Sequence, residues 1–172
     1  MTVTLGASGG SSVPNWTLLQ TATPSGVSTV TFSGLSGYSK YRVMAAGLVA
    51  VSGTTAIQIN GDSSAHYNSI FTLNTNSPTV GNYLNEGNLN QTSLALDSGS
   101  GTSPTFDVQI DNALLATHKA IVGWGLDATA GSIVGTLGSI TGIYQSAAVL
   151  TSITIVRTAN FTSGTIYLLG AN

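Results

Sequence analysis

Leu150-Thr-Ser-Ile-Thr-Ile-Val-Arg157-Thr-Ala-Asn160-Phe-Thr-Ser-Gly164-Thr-Ile-Tyr167-Leu-Leu169-Gly170 is the stretch whose reading decides the fold. Two β-branched and aromatic runs flank a polar break, Asn160 to Gly164. That pattern predicts a hairpin: strand, tight turn, strand. In the final run Ile166 and Leu168 point to one face, and Tyr167 and Leu169 to the other. A strand that is apolar on both faces needs cover on both. One cover is the domain's own core. The other is a second layer or a neighbouring copy, which makes Tyr167 and Leu169 candidate oligomer contacts.

Upstream, short strands follow one another. Residues 27–32 alternate, with Val30 and Phe32 on one face. Residues 40–51 place Tyr41, Val43 and Ala45 opposite Arg42, Met44 and Ala46, and residues 55–60 alternate again. Ser52-Gly53-Thr54 between them suits a hairpin loop, and Asn60-Gly61-Asp62 has turn chemistry. Residues 63–91 are rich in Asn, Ser and Thr. They predict a short strand near 69–73 and then a long excursion carrying surface function. Residues 93–97 read as a strand and 97–104 as a loop. Phe106, Val108 and Ile110 face inward, opposite Asp107, Gln109 and Asp111. One helical turn is expected within 112–117, a strand at 119–126 and a Gly-interrupted strand pair or bent strand at 132–144. Trp16 and Trp124 read as core fillers. About ten short strands without an amphipathic helix predict an all-β chain. The expected architecture is a single two-sheet antiparallel β-sandwich, jelly-roll-like, at residues 15–172, preceded by a flexible arm at 1–14.

Composition narrows the function. The 172 residues suffice for one domain and a sizeable core. Cysteine is absent, so there is no disulfide or thiolate chemistry. Only 6% of residues are charged, where about 25% is usual. Lys40, Arg42, Lys119 and Arg157 are the only basic residues, too few for the positive field that nucleic acid requires. Apolar runs fall short of a membrane span, and the N-terminus lacks the pattern of a signal peptide. With a net charge of −2, a Ser/Thr/Asn/Gly surface resists self-association weakly, which suits a protein meant to assemble.

A series of landmarks spans most of the chain: Asn15-Trp-Thr-Leu-Leu19, Val30-Thr-Phe-Ser-Gly-Leu35, Tyr38-Ser-Lys-Tyr41-Arg-Val43 and Ile57-Gln-Ile-Asn-Gly-Asp62 with Tyr67 beyond. Ile153-Thr-Ile155 and Phe161-Thr-Ser-Gly-Thr-Ile-Tyr-Leu-Leu-Gly170 complete it. In order and spacing this series resembles small β-sandwich virion proteins of tailed bacteriophages. Related chains often carry Tyr where this one has Leu169. The resemblance implies a capsid decoration (cement) protein or a tail or fibre component. The chain reads as one complete domain without heptads or shaft repeats, which favours the cement role. The expected partners are further copies, as a homotrimer, and the phage major capsid protein. The expected location is the capsid exterior, after synthesis in the bacterial host cytoplasm. Val3 and Leu5 would anchor the arm on a neighbour by strand addition. The competing reading is a receptor- or glycan-binding tail or fibre-tip module, with Tyr67 and Tyr83 stacking on sugar rings.

No constellation marks an enzyme. Gly6-Ala-Ser8-Gly-Gly10 matches the nucleophile-elbow pattern by letter but lacks the strand before it and the helix after it. His66 and His118 read as solvated loop histidines, with no metal-ligand spacing. Asp107 and Asp111 stand about 13 Å apart by strand rise, too far to share a calcium or act as a glycosidase pair. Neither cofactor nor metal is expected.

Overall fold

The computed structural model describes residues 14–75, 82–97, 102–128 and 135–172, with side chains at 14–70, 91–97, 102–126 and 137–172. All regular structure among them is β: β1 (Thr17–Ala22), β2 (Val27–Ser33), β3 (Lys40–Ala50), β4 (Thr55–Ile59), β5 (Tyr67–Thr75), β6 (Asn82–Gln91), β7 (Leu94–Ala95), β8 (Ser103–Ile110), β9 (Lys119–Ala128), β10 (Gly135–Tyr144) and β11 (Ser152–Ala171). Every pairing is antiparallel. The all-β antiparallel expectation therefore holds.

β11 is the spine of the fold, and it corrects the hairpin expectation. Residues 152–171 form one strand of 20 residues, with no reversal at Asn160 to Gly164. Its first half lies between β2 and β4, where Ile153 is paired with Phe32 on one side and Ile59 on the other. Its second half lies between β1 and β3, where Leu168 is paired with Gln20 and Val43. So β1 and then β2 run along one edge of β11, while β3 and then β4 run along the other.

The polar break is a chain of bulges. Register shifts fall between Val156 and Phe161, Phe161 and Ser163, and Ser163 and Thr165. Small polar residues and glycine serve a bulge as well as they serve a turn, and a bulge bends the strand without reversing it. Gly164 has φ 108°, and a Cβ there would lie 2.5 Å from both the Gly47 carbonyl oxygen and the Leu48 Cα. Only glycine fits both demands. Freed backbone groups at the bend are satisfied from both edges: Gly26 N–H donates to Phe161 O at 2.8 Å, and Val51 N–H to Asn160 O at 2.9 Å. Residues 52–54 are likewise not a hairpin loop, because β3 and β4 pair with successive halves of β11 and not with each other.

The strands run in the order β6-β5-β10-β9-β8-β3-β11-β4-β7, with β1 and β2 on the far edge of β11. β7 comes back against β5, so the sheet nearly closes as a barrel. Inward side chains alternate along each strand and fill it: Val43, Ile57, Ile59, Leu94, Leu96, Val108, Ile110, Ile121, Ile153, Ile155, Phe161, Ile166 and Leu168 are fully buried or nearly so. Gly125 allows close approach across this interior, since a Cβ there would stand 1.7 Å from the Leu96 carbonyl oxygen. Gly125 thus marks where β9 meets the backbone of the segment after β7, while Gly123 is approached by β8, with a Cβ there 2.2 Å from the Asp107 carbonyl oxygen.

Several local expectations change. Residues 67–75 and 82–91 are two long strands, in place of the expected short strand and long excursion. β5 and β6 pair along most of their length, extending the sheet to an edge at β6. Of the two alternatives for 132–144, the described residues 135–144 take the single strand, bonded to β9 and β5. Residues 112–117 make a turn, with Leu115 N–H donating to Asn112 O at 3.1 Å, but no helix.

Candidate functional site: the outward face of the long sheet

β-sheet parity dictates what the outer face carries. Asp107 opposes both Met44 and Trp124, and Trp124 opposes Ser139. One row of outward side chains is therefore Tyr167, Met44, Asp107, Trp124 and Ser139, taken from β11 to β10. The next row is Leu169, Arg42, Gln109, Val122 and Thr141. Large apolar groups stand exposed on or near this face: Leu18 56%, Ile70 50%, Leu137 45%, Ile143 44%, Val122 42% and Trp124 41%. Tyr167 and Leu169 are half-buried on it, with Ile166 and Leu168 in the core, as the strand parity requires.

Trp124 corrects the core-filler expectation. Its two strand neighbours, Gly123 and Gly125, occupy the face that other backbone approaches, so the indole has to point the other way. The glycines were the signal available in the sequence. Trp16 is half-buried and lies over Arg42, with the guanidinium carbon 5.8 Å from the ring centroid, a cation–π arrangement. Arg42 is also held by Asp107, with Nε donating to Oδ1 at 2.6 Å and Nη2 to Oδ2. This bidentate fork holds the Arg42 pKa above its ordinary value, with the Asp107 hydrogen bond as the main cause. Gln109 Nε2 donates to both oxygens of Asp111, which also faces Lys40 Nζ at 3.4 Å.

The remaining two cations are turned inward. Arg157 is buried beside Asp97 at 3.3 Å and donates to Thr55 Oγ1 and the Val51 carbonyl. Asp97 also accepts from the Thr55 N–H at 3.0 Å. Lys119 is fully buried, and its Nζ donates to the carbonyls of Leu115 (2.8 Å) and Thr117. Burial pushes its pKa down. Those bonds brace a loop whose tip leaves Leu114 and Leu115 exposed. The adjoining loop, tied to it by Leu150 N–H donating to Ala113 O, leaves Val149 exposed.

A second polar cluster sits at the Asn60-Gly61 turn. Asn60 and Gly61 both have positive φ, and Asp62 N–H donates to Ile59 O at 3.0 Å. Asp62 Oδ2 meets His66 Nδ1 at 2.6 Å and accepts from the Tyr144 hydroxyl at 2.9 Å. The His66 hydrogen bond is the chief cause that holds the Asp62 carboxyl well below the usual carboxylate range. Tyr67 is fully buried: its hydroxyl accepts from the Ile59 N–H and donates toward the Asp62 carbonyl, and its ring packs 4.9 Å from that of Tyr144. The cluster fastens a turn to the barrel. It brings no nucleophile to His66.

Of the residues singled out in the sequence, Tyr167 and Leu169 share the outer face. Tyr67 is enclosed and has no ring face for a sugar. Val3, Leu5 and the side chain of Tyr83 lie outside the described residues. Among the described residues no group of three His, Cys, Asp or Glu could hold a metal ion. No helix among them is long and apolar enough to cross a membrane. No protein-family model, curated protein or solved structure matches the chain.

Proposed function

We propose that the protein is a structural component of a phage virion, a capsid decoration (cement) protein acting as a homo-oligomer on the outer head surface. Its body is then a two-layered, jelly-roll-like sandwich with β11 passing from one layer to the other. The observation that carries the reading is where the polar and apolar groups go. All four cations are engaged with partners of their own chain, while Leu18, Tyr167 and Leu169 reach water on one side and Leu114, Leu115 and Val149 at one end. Such a surface neither repels its own copies by charge nor attracts phosphate. The ordered landmarks from Asn15 to Gly170 point to the same class.

In this reading the β1–β11 side of the outer face seals copy against copy, and the rigid Leu114-Leu115 loop rests on the shell. Light-scattering mass measurement of the purified protein should give a trimer. Leu18→Asp with Leu169→Asp should release folded monomers. A wild-type protein that stays monomeric at high concentration would sink the assembly reading. Recovery on emptied heads is expected; recovery on tails alone would select a tail or fibre-tip role instead.

A further inference from the structure

Trp124 is exposed between two depressions of the sheet face. One, of about 410 Å³, is lined by Trp124, Leu137, Gly138 and Ser139. The other, of about 290 Å³, is lined by Arg42, Asp107, Gln109, Val122, Gly123 and Trp124. The indole is the wall between an apolar hollow and a polar one.

The polar hollow is pre-ordered and only partly satisfied. Arg42 gives Nε and Nη2 to Asp107, which leaves Nη1 without a partner among the described residues. Gln109 gives its amide nitrogen to Asp111, which leaves its carbonyl oxygen unclaimed. The Asp107 side chain is 13% exposed, and its oxygens keep acceptor capacity. An unused donor beside unused acceptors matches a hydroxyl, which donates and accepts at once. The charges cancel within the Arg42–Asp107 pair, so an ionic ligand gains nothing that a neutral one lacks. Across the indole, Ser139 adds another hydroxyl. A flat, electron-rich ring face flanked by such groups fits a molecule with an apolar C–H face and a hydroxyl rim.

We propose that Trp124, Arg42, Asp107 and Gln109 form a binding site for a neutral hexose unit of a surface glycan. The indole covers the C–H face of the pyranose. Arg42 Nη1 and the acceptors on Asp107 and Gln109 take two hydroxyls of its rim. The site is separate from Tyr67; it borders the proposed contact between copies, because Arg42 is the cross-strand partner of Leu169, while Gln109 and Trp124 lie one and two strands further out.

The test is NMR titration of the full chain with glucose, galactose, mannose and N-acetylglucosamine and their short oligomers, following the Trp124 indole N–H. Saturable shifts with a Kd on the order of 1 mM are expected for at least one. Trp124→Ala, at an exposed position, should keep the fold and weaken binding at least tenfold. Gln109→Ala should weaken it less, and the mass in solution should stay unchanged in both. Absence of any saturable shift at sugar concentrations ten times higher would overturn the proposal, as would binding that survives Trp124→Ala. A sialylated sugar binding more tightly than every neutral one would overturn its neutral character. Loss of head attachment would leave these readouts untouched, so the two proposals fail separately.

Discussion

The two halves of β11 are one continuous strand built for different neighbourhoods. In the first half Ile153, Thr154 and Ile155 are all buried, and its last residue, Arg157, carries an ion pair into the interior. In the second half Ile166 and Leu168 alternate with half-exposed Tyr167 and Leu169. The first half closes the fold, and its Thr154 hydroxyl meets that of Thr31 on β2 at 3.2 Å. The second half gives one face to the core and the other to whatever lies outside. A single strand can thus be both keystone and display surface, provided that something between its halves turns it from one task to the other. That something is the bulged segment around Gly164.

The comparison breaks hardest at the buried pair. Asp97→Ala removes the carboxylate that balances the charge of the buried Arg157 guanidinium. It should cost about 3–5 kcal/mol in chemical denaturation. Replacing both partners, Asp97→Leu with Arg157→Met, should recover most of that loss, because the penalty comes from the uncompensated charge and not from the lost bond. A single replacement as mild as the double one would remove the first half's claim to be the lock.

Gly164→Ala attacks the hinge between the halves. Its positive φ and the 2.5 Å approach to the Gly47 carbonyl leave no room for a methyl group. A loss of about 1–3 kcal/mol is expected. Amide hydrogen exchange should show the damage concentrated at residues 158–166. Damage spread evenly over β11 would mean that the two halves are not separable.

The smallest effect is a dependence on pH that emerges only in acid. Asp62 helps to fix the turn that leads out of β4, beside the first half of β11, and its folded-state pKa lies below its unfolded one. The stability it contributes is therefore complete above the unfolded carboxylate value of about 4. It declines as pH falls below that value toward the folded pKa. Thermal midpoints should fall in this window more steeply for the wild type than for Asp62→Asn. Parallel curves would remove Asp62 from the account.

Much of the fold was legible because alternation is a local signal. Val30 with Phe32, and Phe106 with Val108 and Ile110, turn inward as their spacing demands. What the sequence hid was reversal versus continuation. Asn160 to Gly164 has the composition of a turn, and nothing local says that β1 to β4 supply partners on both edges, which makes continuation the better-bonded choice. Asp97 hid for a similar reason: it opens a Ser/Gly stretch that reads as loop, and its role depends on Arg157, sixty positions away in the chain. At the outer face, Tyr167 and Leu169 followed from parity. Trp124 follows the same parity, but the expectation that a tryptophan fills the core outweighed it, although Gly125, pressed by the Leu96 carbonyl, was the sign in the sequence.

The central place of β11 also governs when the molecule can come into being. Thr17 awaits Gly170, and Tyr41 awaits the same residue from the other side. On a ribosome, the first four strands leave the exit tunnel long before the segment that zips them together has been translated. Until then their edges are open to any extended chain nearby, so native pairing waits for β11 and is slowed by large sequence separation. Cells overproducing this protein should therefore gain more from a holdase that shields β-edges than from faster synthesis.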